Sequence, residues 1–163
     1  MGDYRRSTRA CAFERLQPES VKAVRQHIED QELGDIESTI LYCCETTSEL
    51  KKLGFVASLT GKLTGRFPHG QVHYTGVFVT PDWLFHVLTS AKSGSTVWSA
   101  KLKDIEVREH EFQHMIEDTG FSVFGFIGRS QKRVLAFIGL GEEPAAKELE
   151  SVLREAVQKA QST

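Results

Sequence analysis

The pattern with the most specific chemistry in this chain is His110-Glu111-Phe112-Gln113-His114, which fits H-E-x-x-H. On a helix, two histidines four residues apart share a face and can ligate zinc, with the glutamate as general base toward a zinc-bound water. A hydrolase of that kind needs a third ligand, and the carboxylates available downstream are Glu142, Glu143 and Glu148, which sit at the start of a helix of their own. Arg108, Glu109, Glu117 and Asp118 surround the motif with charge, and no G-x-x-H follows to complete a metzincin site. The segment therefore reads first as a solvated polar connection, with no metal or cofactor. A small zinc-dependent hydrolase using His110, Glu111 and His114 is the alternative.

A second constellation is the stretch from Leu50 to Arg66, in which Lys51, Lys52, Lys62 and Arg66 occur without an acid. Phe55, Leu59 and Leu63 keep an approximate helical period there, so a helix could set apolar side chains into a bilayer interface with lysines toward anionic headgroups, each worth ~1 kcal/mol. Gly54, Gly61 and Gly65 oppose that helix. These four cations are the candidate binding residues. Gly61-Lys62 resembles the end of a P-loop, but Leu63 stands where Ser or Thr would bind magnesium. Trp83, Trp98 and His86 fall on strand candidates and read as core or rim residues, His86 with its hydrogen bonds satisfied. Cys43 and Cys44 read as small core residues rather than nucleophiles.

The elements that must position these residues are mostly strands. Residues 1–16 carry Arg5, Arg6, Arg9 and Arg15 with little apolar periodicity, which predicts a flexible arm. Pro18 opens a helix over about 18–33, with Val21, Val24 and Ile28 on one face and Gly34 as its C-cap. From Ile36, IESTILYCCETT suits a strand that places Tyr42 and Cys44 on one side and Cys43 on the other. SELKKL reads as a short helical turn. VHYTGVFVT and WLFHVLTSA form a hairpin about Pro81-Asp82, then TVWSAKL and IEVRE follow. A last hairpin about 128–132 precedes a helix over 142–160. That helix carries Leu149, Val152, Leu153, Ala156 and Ala160 as a continuous apolar stripe, opening on Glu142, Glu143 and Pro144.

Bulk composition narrows the function classes. The 163 residues suffice for a single domain, 17–163 after the arm, with a substantial core. With 22 acidic and 20 basic residues and a net charge of -2, no global field recruits nucleic acid. Three cysteines offer neither a disulfide framework nor C-x-x-C pairs, which favours a reduced, cytoplasmic setting. The first residues lack an apolar signal core, and no apolar run approaches a membrane span.

Seven strand candidates between about 36 and 140, followed by one C-terminal helix, with VFVTPDWLFHV as a hairpin and the LKDIEV step after it, resemble bacterial members of the pleckstrin-homology-like (PH-like) superfamily. The resemblance implies a mainly β domain, α+β by content. Its core would be a partly open, seven-stranded antiparallel barrel or sandwich capped by the C-terminal amphipathic helix, here with an extra N-terminal helix. It further implies a non-enzymatic binding or scaffold domain that holds a protein or peptide partner, or peripherally an anionic lipid surface. An exposed strand edge offers a route to a homo-oligomer. Lipid-reading members cluster their basic residues on the first two strands and the loop between them. Here Lys51, Lys52, Lys62 and Arg66 are spread along a long connection, which points away from specific inositol-phosphate readout.

Overall fold

Residues 4–10 form a strand rather than a flexible arm. A computed structural model describes residues 4–50, 72–109 and 119–163, and in it β1 (Tyr4–Ala10) pairs antiparallel with β2 (Tyr42–Leu50) along its whole length, from Tyr4 opposite Leu50 to Ala10 opposite Cys44. This strand shows no apolar alternation because it lies at a sheet edge and its inward positions are polar. Thr8 is buried and its hydroxyl meets that of Thr46 at 2.7 Å. Charged side chains on an edge strand also deter pairing with other chains. The second strand begins later than IESTIL suggests, since Glu37–Thr39 is a 3-10 turn. It also runs through Ser48, Glu49 and Leu50, so the helical turn expected from Ser48 starts instead as strand, and the rest of that turn lies outside the described residues.

Beyond β2 come β3 (Val72–Val79), β4 (Trp83–Ser90) and β5 (Gly94–Lys101), which complete a five-stranded antiparallel sheet in chain order. A second sheet holds β6 (Ile105–Glu109), β7 (Gly120–Gly125) and β8 (Val134–Gly139). The described residues thus make eight strands in two sheets, one more than the seven candidates, the difference being β1. Among the described residues the α-helices are α1 (Pro18–Asp30) and α2 (Pro144–Gln161). The first ends three residues short of the expected boundary. Leu33 N–H reaches back to the Ile28 carbonyl and Gly34 takes a positive φ of 78° as the chain reverses.

Strand alternation distributes the apolar residues between two cores. Cys43, Phe78, Phe85 and Val87 face α1 and its lead-in, where they meet Phe13, Leu16 and Val24. Phe78 and Phe85, paired across β3 and β4, stack at 4.6 Å. On the other face Cys44, Val77, Val79, Leu84 and Ala100 meet Phe121, Val123 and Ile138 of the second sheet and Leu149 and Leu153 of α2. The helix bridges both sheets. Tyr42 of β2 donates to the Ala145 carbonyl near its start, and Gln161 donates to the Ile105 carbonyl of β6 at its end.

Polar contacts close the gap between β1 and the chain beyond β8. Gly141 N–H donates to the Thr8 hydroxyl at 2.8 Å, and Thr8 N–H donates to the Glu143 carboxylate at 3.0 Å. Gly141 suits this approach, because a Cβ there would run into the Glu143 carboxylate and crowd the Arg6 carbonyl oxygen.

Candidate functional site

The cations that sequence singled out, Lys51, Lys52, Lys62 and Arg66, lie outside the described residues, as do His110, Glu111 and His114. Of the carboxylates considered as a third zinc ligand, Glu143 is engaged with the Thr8 backbone. That hydrogen bond holds its carboxyl below the ordinary carboxylate range. Among the described residues no group of three His, Cys, Asp or Glu side chains could hold a metal ion.

The most distinctive described surface is the β7–β8 hairpin. From Thr119 to Gly141 the chain contains Arg129, Lys132 and Arg133 and no carboxylate. Gly125 ends β7 at φ 152°, where a Cβ would collide with the Asp104 carbonyl oxygen, so the chain passes tightly over the end of β6. The loop then folds across the outer strand of the large sheet, with Gly128 N–H donating to the Ser99 carbonyl at 2.9 Å. Ile127 turns inward and is buried. Phe126 turns outward and is 44% exposed, and Leu135 is 39% exposed; Val134, one residue earlier in β8 and 38% exposed, points to the opposite face of the small sheet.

Arginines frame this apolar patch. The Arg133 guanidinium lies 5.4 Å from the Phe124 ring centroid and 5.9 Å from that of Phe126, and Arg108 lies 4.2 Å from Phe124 while pairing with Glu106 at 3.2 Å. A guanidinium over a ring covers apolar area while keeping its charge toward water. Leu135 pairs directly with Phe124 across the two strands, so the aromatic and aliphatic parts of the patch are contiguous.

Next to the hairpin, between α1 and the ends of β4 and β5, is a cavity of about 220 Å³ lined by His27, Trp83, Ser99, Lys101, Asp104 and Arg129. Lys101 Nζ sits 5.7 Å over the Trp83 ring, so an aromatic wall and two cations face the same space as one carboxylate. His27 Nε2 and Ser99 Oγ are 2.9 Å apart. Burial pushes the His27 pKa down, Asp30 opposes that shift and Arg129 adds to it. A hydroxyl bonded to a neutral imidazole is the first half of a nucleophile–base pair. Ser99 is buried, however, and the contact has a counterpart at the other end of the helix, where Ser20 and Thr89 hydroxyls meet at 2.7 Å. Both contacts fasten α1 to the sheet.

Other sequence expectations can be placed. Cys43 and Cys44 are buried on opposite faces of β2. His86 stacks on Trp98 at 4.9 Å, but its buried Nδ1 has no hydrogen-bond partner among the described residues, contrary to the expectation that its bonds are satisfied. Arg129, Lys132, Arg133 and Phe126 were not singled out by sequence reasoning. Their signal was present as a run of more than twenty residues without a carboxylate, masked by the strand pattern it shares.

No family model, curated protein or solved structure matches the chain. No helix among the described residues is long and apolar enough to cross a membrane.

Proposed function

We propose that this chain is a non-enzymatic, PH-like binding module that applies its β7–β8 hairpin to an anionic membrane surface. Once β1 and α1 are set aside, the remaining order is four strands, then three, then a helix packed against both sheets. That order supports the PH-like reading. The functional reading rests on one observation: a segment without a carboxylate carries exposed Arg129, Lys132 and Arg133 together with exposed Phe126 and Leu135, the Arg133 guanidinium lying against the Phe126 ring. Anionic headgroups and the acyl boundary together complement such a surface, the cations meeting phosphates while the apolar side chains enter the interface. Arginines lying across phenylalanine rings suit that boundary, where one side of the group is apolar and the other wet.

The test is sedimentation with phosphatidylcholine vesicles, with and without phosphatidylserine, at low and high salt. Binding is expected only with the anionic lipid and should weaken as salt rises. At ~1 kcal/mol for each basic residue, reversing Arg129, Lys132 and Arg133 to glutamate should lower vesicle affinity by at least about 100-fold. Phe126→Ser should weaken binding without removing its salt dependence. Equal binding to neutral and anionic vesicles, or none to either, would sink the lipid reading and leave a protein or peptide partner as the occupant to seek.

A further inference from the structure

We infer that Cys11 and Cys43 form a peroxide-sensitive dithiol, Cys11 being the site of attack and Cys43 the resolving thiol, whose oxidation staples β1 to β2. The two residues are 32 positions apart in sequence, and pairing of the strands brings them together. The β1–β2 ladder ends with Ala10 opposite Cys44, and Cys11 N–H extends it by donating to the Cys43 carbonyl at 3.1 Å. Directly opposed residues of an antiparallel pair have Cα atoms about 4.5–5.5 Å apart, inside the ~4.4–6.8 Å span of a disulfide. Both side chains belong to the same apolar cluster beneath α1 and line the same depression.

The environment makes the two sulfurs unequal. Cys43 is buried among Phe13, Phe78 and their neighbours, whereas Cys11 is half-buried at the mouth of an open depression of about 540 Å³ lined by Phe13, Ile40, Leu41, Tyr42 and Cys43. The neighbouring Cys43 thiol lowers the Cys11 pKa, partial burial opposes this, and Arg9 reinforces it, with Glu45 working the other way. The Cys43 thiol is pushed up by the same contact and by burial. Deprotonation is therefore easier at the accessible sulfur than at the enclosed one. Thiolate character combined with exposure is what selects a cysteine for oxidation. Cys44, on the opposite face of β2, is buried in the other core and its thiol is raised to about 12, so it takes no part.

The chemistry balances with hydrogen peroxide as oxidant. The Cys11 thiolate attacks one peroxide oxygen, the O–O bond breaks, and hydroxide leaves and takes a proton from solvent, giving a sulfenic acid. The Cys43 sulfur then attacks the Cys11 sulfur. The S–O bond breaks and hydroxide departs with the Cys43 proton as water. Two thiols and one peroxide become a disulfide and two waters, the cysteines losing two electrons and the peroxide gaining them.

The test uses the full chain, reduced, desalted and treated with hydrogen peroxide. A non-reducing peptide map should show one intramolecular Cys11–Cys43 link with Cys44 still alkylatable, and free thiols should fall from the three of the sequence to one. Treatment in urea should erase the preference for that pairing. With Cys43→Ala, dimedone should trap a sulfenic acid on Cys11, while Cys44→Ala should oxidise like the unsubstituted chain. A Cys43–Cys44 or intermolecular link as the main product would overturn the inference. So would thiol loss no faster in the folded chain than in urea. The map on the unsubstituted chain decides the matter even if a core substitution prevents folding.

Discussion

His86 shows how one residue couples the sheet to pH. Burial alone lowers its pKa to about 4, because the imidazolium would lie against Trp98 with no acceptor for Nδ1 among the described residues. The folded chain therefore takes up this proton less readily than the unfolded chain, whose histidine titrates near its ordinary value. Stability from this group is complete above about pH 6.5 and declines as pH falls toward 4, by at most ~3 kcal/mol. His86→Phe, which can keep the stack, should flatten that part of the pH profile. Urea midpoints at pH 7 and 4.5 check it: the idea fails if the variant and the parent lose equal stability between them. Glu45 makes a second residue-scale case. It is 2% exposed, accepts the Gln17 N–H at 2.8 Å just ahead of α1, and pairs with Arg9 at 2.9 Å. The Arg9 side chain is 56% exposed, so its half of the pair contributes little. Glu45→Ala should cost about 2–3 kcal/mol and Arg9→Ala less than ~1 kcal/mol, with Glu45→Gln recovering part of the loss by still accepting from Gln17. Equal losses for Glu45→Ala and Arg9→Ala in denaturant titrations would show that the ion pair, not the backbone contact, matters.

At the scale of elements, α2 carries the clearest consequence. Its stripe of Leu149, Leu153 and Ala156 is buried against residues from both sheets, with Leu149 and Leu153 wholly enclosed. Leu153→Asp should destabilise the domain by several kcal/mol, as for an unpaired charge in a core. Leu153→Ala should cost about 2–5 kcal/mol. A melting temperature unchanged by either substitution would mean that the helix does not hold the sheets together. The helix could be read in the sequence because its stripe repeats at 3.6 residues whatever it packs against. The strands from Val72 onward were equally readable, since their alternation and the Pro81-Asp82 turn are local. β1 was not. Its inward residues, Thr8 and Arg6, are polar, and what makes it a strand is a ladder to residues some forty positions away.

For the whole molecule, the chain arranges one five-stranded sheet between two covers, α1 on one face and the small sheet with α2 on the other. Each cover has its own core, so β2, β3 and β4 send buried apolar side chains to both faces: Cys44, Val77 and Leu84 to one, Cys43, Phe78 and Phe85 to the other. That is why Cys43 and Cys44, adjacent in sequence, belong to different cores. The same layering brings Arg129 at the hairpin's turn beside His27 of α1, and it places a thiol from the N-terminal segment beside one from β2. By itself the sequence determined the mainly β character, the C-terminal amphipathic helix and the positions of most strands, because each depends on patterns a few residues long. Only the tertiary structure decided that the N-terminal residues are a strand, that the carboxylate-free hairpin is an exposed basic and aromatic surface, and that Cys11 meets Cys43. Those facts depend on contacts between segments far apart in the chain, which no local pattern records.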